Sequence, residues 1–227
     1  MCIIYLYMLY IAHRGYTYFY SDNSLGAFNE AIREGFDMIE LDIQLCKSGE
    51  IIVYHDLTID DKYIIDLKYS DLLQYNIITL KQFFKEIDTN KIKIYLDLKG
   101  DIQLVHTLIG LMLKYNINMQ SIYIASFNFK HLSLLNFYKN NMIGLNYNMG
   151  AIICNVYEKH TFSELFNDMH FICIDWNMLD EELIRWCKEH DIRVYTYTCT
   201  DMETYRFIMN YEIDGIVTDI LLPPITV

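Results

Sequence analysis

An alternation running from end to end limits the fold most: short β-rich runs are separated by amphipathic helical stretches. Strand patterns fall at 7–13, 38–43, 51–55, 92–98, 122–126, 142–147, 171–175, 194–198 and 215–218. Helix patterns fall at 24–34, 80–87, 103–115, 130–138, 162–167, 181–190 and 202–211. A parallel neighbour is reached only through a crossover, so strands spaced by helices imply a parallel sheet. About eight such units close that sheet on itself, and the expected fold is α/β, a TIM-type (β/α)8 barrel. Ser24 is placed to cap the first helix and Gly35 to follow its end. Little chain follows the last strand pattern, so the final outer helix is expected to be short or missing. With 2 prolines and no Pro/Gly-rich linker, residues 1–227 read as a single domain.

Composition narrows the function. The chain is 53% hydrophobic and 21% charged, which is globular rather than disordered. Its net charge of −12 argues against duplex DNA or an anionic membrane, both of which bind through surplus Lys and Arg. A small anion is not excluded, because a metal and a few local cations reverse the sign inside one pocket. The six cysteines, Cys2, Cys46, Cys154, Cys173, Cys187 and Cys199, form no CxxC pair and suggest reduced thiols in the cytoplasm. The apolar opening run, residues 1–12, is too short for a transmembrane segment and lacks a basic leader and cleavage site, so it reads as a first barrel strand.

Charge inside the apolar strands is the functional signal. In Met38-Ile39-Glu40-Leu41-Asp42-Ile43 the odd-numbered apolar residues share one face, suited to the outer helices. Glu40 and Asp42 then point into the barrel near its C-terminal mouth. Asp97 and Lys99 repeat the arrangement against outward Ile94, Leu96 and Leu98, and Val53 and His55 are expected to face inward likewise. His13-Arg14-Gly15 ends the first strand. Catalytic residues of this fold collect at such strand ends.

Buried carboxylates without partners cost several kcal/mol each. Three of them demand cations: either an ion-pair network with Arg14 and Lys99, or a divalent ion. Hard oxygen ligands favour Mg2+ or Ca2+ over zinc. His13 and His55 are the natural proton-transfer pair, since imidazole titrates near neutral pH. His106, His131, His160, His170 and His190 lie in or near helical stretches and read as structural.

These residues, taken in order, resemble the glycerophosphodiester phosphodiesterase family, whose fold is phospholipase-C-like. The resemblance runs through His13-Arg14-Gly15, Asn23-Ser24-Leu25-Gly26-Ala27-Phe28, Gly35-Phe36-Asp37-Met38-Ile39-Glu40-Leu41-Asp42, Lys47-Ser48-Gly49 and His55-Asp56. It continues through Leu96-Asp97-Leu98-Lys99, Ser126-Phe127, Tyr197-Thr198 and Asp214-Gly215-Ile216-Val217-Thr218-Asp219. It implies a barrel binding one divalent cation through Glu40, Asp42 and Asp97, with His13 and His55 as acid and base. It also implies phosphate binding by Arg14 and Lys99 and a pocket wall from Phe127 and Tyr197. The implied reaction hydrolyses a small-molecule glycerophosphodiester to glycerol 3-phosphate and an alcohol. Asp97 stands where the family more often has Glu, and the segment after His55-Asp56 is short, implying a reduced insertion.

Two other readings compete. A sphingomyelinase D or lysophospholipase D type enzyme shares the barrel and a strand like Asp97-Leu98-Lys99, and would take a lysophospholipid. The His-Arg-Gly opening and the Thr218-Asp219 close favour the glycerophosphodiesterase side. A catalytically degenerate barrel serving as a binding module would have lost a histidine or a carboxylate, and none is lost. Neither head group nor oligomeric state follows from the sequence.

Overall fold

The computed structural model describes residues 8–223, so the part of the opening run before Met8 lies outside the described residues. Eight parallel strands close into a barrel: β1 (Leu9–Ala12), β2 (Met38–Leu45), β6 (Lys93–Leu98), β7 (Ile122–Ser126), β8 (Asn148–Ile153), β9 (Phe171–Asp175), β10 (Arg193–Cys199) and β11 (Gly215–Thr218). They pair in chain order, and β1 closes the ring by pairing with both β2 and β11. Around them lie α1 (Leu25–Arg33), α3 (Leu80–Glu86), α4 (Gln103–Lys114), α5 (Phe129–Asn141), α6 (Phe162–Phe166), α7 (Glu181–Glu189) and α8 (Met202–Ile208). Among the described residues no helix follows β11.

Local chemistry explains the first unit. Ser24 Oγ accepts the Ala27 N–H, removing one unpaired donor from the α1 N-terminus. The turn between β1 and α1 depends on Gly15. Its φ is +82°, and a Cβ there would lie 2.7 Å from the Ala27 backbone.

Two apolar layers follow from the period-two pattern of the strands. Ile39, Leu41, Ile43, Ile94, Leu96 and Leu98 face the helices and join the main core. The barrel interior is filled by Leu9, Ile11, Met38, Tyr95, Tyr123, Phe171, Tyr195 and Val217, among others. The Phe171 ring centroid lies 5.4 Å from that of Tyr95 and 5.1 Å from that of Tyr195, so an aromatic plug underlies the C-terminal mouth. Inward-facing Gly150 makes room for it, since a Cβ there would sit 2.4 Å from the Phe171 ring.

Two strand expectations need correction. Residues 142–147 are not a strand: α5 extends to Asn141 and a turn follows, with Ile143 fully exposed. The true strand β8 begins at Asn148, where Asn and Gly150 read as turn residues in sequence. Residues 51–55 are not a barrel strand either. Strand β3 (Ile51–Val53) pairs antiparallel with β2, and Val53 sits opposite Ile43. Paired residues of an antiparallel ladder share a face, so Val53 packs into the helix-side core rather than inward.

The insertion before α3 is small. It holds a two-stranded hairpin, β4 (Thr58–Ile59) and β5 (Lys62–Tyr63), and the one-turn helix α2 (Tyr69–Leu72). Cys46, Ile52, Ile64, Leu72 and Ile77 give it a minor core of its own.

Candidate active site

Strand register creates the central cluster. Asp42 on β2 and Asp97 on β6 are direct partners, so their carboxylates share the interior face, and Glu40 stands two residues back on that face. Like charges placed opposite one another destabilise a sheet. The three nevertheless bring one ligand oxygen each within 4.8 Å of one another, at 5% (Glu40), 2% (Asp42) and 6% (Asp97) exposure.

Two cations neutralise part of this charge. Lys99 Nζ lies 2.6 Å from Asp97 Oδ2 and 3.2 Å from Asp42 Oδ1. Arg14 Nε lies 3.1 Å from Asp42 Oδ2, and the Arg14 backbone N–H donates to Glu40 Oε2 at 2.8 Å. Three carboxylates against two cations leave an excess negative charge. Burial, reinforced by Asp42 and Asp97, pushes the Glu40 carboxyl well above the usual carboxylate range. Burial also lifts Asp97 to about 7 against the opposing pull of Lys99.

This donor set fits a divalent ion. Asp97 Oδ1 is a buried acceptor with no hydrogen-bond partner among the described residues, and it belongs to a cluster of hard oxygens suited to Mg2+ or Ca2+.

Each predicted histidine carries a carboxylate on Nδ1. His13 Nδ1 is 2.7 Å from Asp219 Oδ1, and His55 Nδ1 is 2.7 Å from Asp56 Oδ1. With Nδ1–H donated to the carboxylate, Nε2 is the nitrogen left for proton exchange. Barrel closure explains the first pair: Ala12 on β1 is in register with Thr218 on β11, so the next residues meet.

One pocket of about 150 Å3 is lined by His13, Arg14, Glu40, Asp42, His55, Asp97, Lys99, Phe127 and Tyr197. Every site residue expected from the sequence is therefore brought together. The Phe127 and Tyr197 rings pack edge to face at 6.0 Å, and Lys99 Nζ lies 5.3 Å from the Phe127 centroid. Tyr95 and Cys173 form part of the lining and were not anticipated.

Three buttressing residues received no site role from the sequence. Asn23 is buried; its Nδ2 donates to Asp42 Oδ2 at 2.9 Å while its Oδ1 accepts the Asp42 N–H at 3.2 Å. Gln44 continues the inward face of β2, and its Nε2 donates to the carbonyls of Tyr54 and Asp56, both at 2.8 Å, bracketing His55. Asp219 is the third. Period-two counting from Glu40 and Asp42 would have found Gln44.

The model of the glycerophosphoryl diester phosphodiesterase family matches residues 13–221. The chain belongs to that family. Membership makes it a phosphoric diester hydrolase. It is 28% identical to a glycerophosphodiester phosphodiesterase from Caldanaerobacter subterraneus subsp. tengcongensis, with 93% of each chain covered. The fold is similar to that of a glycerophosphodiester phosphodiesterase from Parabacteroides distasonis, with TM-score 0.80, 20% identity and coverage of 93% of this chain and 92% of that one. It is also similar to an Oleispira antarctica phosphodiesterase solved with its product sn-glycerol-3-phosphate, with TM-score 0.79, 18% identity and coverage of 93% and 92%. No helix among the described residues is long and apolar enough to cross a membrane.

Proposed function

We propose that the chain hydrolyses small glycerophosphodiesters to glycerol 3-phosphate and an alcohol. The observation that carries this reading is one pocket in which two carboxylate-backed imidazoles and two cations surround a buried three-carboxylate cluster. The product bound by the Oleispira antarctica phosphodiesterase supports the same chemistry.

Glu40, Asp42 and Asp97 would hold one divalent cation, Mg2+ or Ca2+. When bound, it supplies Lewis-acid polarisation of phosphoryl oxygens and charge stabilisation. Arg14 and Lys99, which line the same pocket, would bind the substrate phosphate. The Nε2 of one histidine takes the proton of the attacking oxygen, and the other protonates the departing alcohol oxygen. The attacking oxygen is water or the neighbouring glycerol hydroxyl; in the second case a cyclic phosphate forms and water then opens it. Phe127 and Tyr197 form an aromatic wall of the pocket.

Hydrolysis of glycerophosphocholine in 18O-labelled water tests which bond is cut. Label in glycerol 3-phosphate and none in choline is expected. Choline release from lysophosphatidylcholine, with glycerophosphocholine untouched, would overturn the proposal in favour of a lysophospholipase D.

A further inference from the structure

Ser126 stands at the end of β7 on the strand's outer face, with Ile122 and Ile124, so it does not enter the pocket. It is fully buried, as is His131 in the first turn of α5. The Ser126 hydroxyl donates to the Leu98 carbonyl at 3.0 Å and accepts the Asn128 N–H at 3.0 Å. His131 Nδ1 lies 2.9 Å from the same oxygen. A carbonyl only accepts and a hydroxyl has one hydrogen, so the contact with His131 requires an Nδ1–H donor. The hydroxyl is thereby saturated in a single rotamer. With Nδ1–H committed to Ser126, His131 Nε2 is buried and has no hydrogen-bond partner among the described residues.

Those contacts flank Lys99. Leu98, which accepts from Ser126, precedes it, and Phe127, the residue after Ser126, places its ring 5.3 Å from Lys99 Nζ. Nothing else among the described residues joins the ends of β6 and β7 through a side-chain hydroxyl.

We infer that Ser126 and His131 form a buried positioning pair that fixes Lys99 and Phe127 relative to each other for binding of the substrate phosphate. This rests on the phosphate-binding role proposed for Lys99. The pair touches neither substrate nor cation.

Calorimetric titration of sn-glycerol 3-phosphate into the full chain with saturating Mg2+ tests it, using wild type, Ser126→Ala, Lys99→Met and the double variant. Ser126→Ala removes three buried hydrogen bonds, and transmission to the site of about one bond's worth predicts an about ten-fold rise in Kd. On the Lys99→Met background the same change should add nothing, because coupled residues are not additive. His131→Leu should reproduce Ser126→Ala. His131→Asn, which keeps a donor near the Nδ1 position, should restore near wild-type affinity, and this pair carries the test should Ser126→Ala not fold. Wild-type Kd in Ser126→Ala with only a lowered Tm, or additivity with Lys99→Met, would overturn the inference while leaving the proposed function intact. Failure of the wild type itself to bind the ligand overturns the proposed function, and this inference with it.

Discussion

His13 Nδ1 meets Asp219 Oδ1 at 2.7 Å across the seam where β1 and β11 close the barrel. The two residues lie near opposite ends of the chain, and only closure makes them a pair. A carboxylate on Nδ1 fixes the tautomer and stabilises the imidazolium that forms on proton uptake. Asp219→Asn should therefore lower kcat about 10^2-fold or more with little change in KM, as expected when a general acid or base loses its orientation. Steady-state kinetics on glycerophosphocholine check this, and an unchanged kcat would remove Asp219 from the account.

Metal dependence should appear as stability before it appears as rate. A ligand that binds only the folded state at about 100 times its Kd adds about 2.7 kcal/mol. Mg2+ or Ca2+ should raise the Tm of EDTA-treated wild type and leave that of Asp42→Asn unmoved. Equal shifts in both would place the ion elsewhere.

Asn23 should tune that affinity. Its amide grips Asp42 from two directions, with φ at 52°. Asn23→Gly removes the grip without straining a left-handed backbone. Metal affinity, read by calorimetry, should fall about 10- to 100-fold, the usual effect of removing a residue that orients a ligand. A wild-type affinity would show that Asp42 needs no such brace.

Burial holds the His131 imidazole below its ordinary pKa of 6.5. A histidine whose folded pKa is lowered binds fewer protons when folded than when unfolded. Its contribution to stability is complete above 6.5 and is lost as pH falls from 6.5 toward the folded value, by at most about 1.4 kcal/mol per pH unit. Urea unfolding of wild type and His131→Asn across pH 5 to 8 should show a gap that closes in acid. Parallel curves would contradict a buried neutral ring.

Where the sequence was transparent, a single strand carried the information. Glu40, Asp42 and Asp97 declare their direction by alternation with Ile39, Leu41 and Leu96, and the structure places all three inward. The barrel itself followed from a different alternation, that of strand and helix patterns along the chain. Val53 was misread because its face depends on antiparallel pairing with Ile43, which no local pattern encodes. Strand β8 was displaced because Gly150, chosen to clear the Phe171 ring, resembles a turn glycine. Asn23, Asp219 and the Ser126–His131 pair depend on loops and neighbouring strands meeting in register. Such contacts are set by tertiary closure, not by local periodicity.

The most direct measurement is glycerol 3-phosphate release from glycerophosphocholine by the purified chain with Mg2+, with Ca2+ or with EDTA, beside a His13→Ala variant. The account predicts product only when a divalent ion is present, with the rate of the variant reduced about 10^2- to 10^4-fold. Product formed equally well in EDTA, or undiminished by His13→Ala, would contradict it.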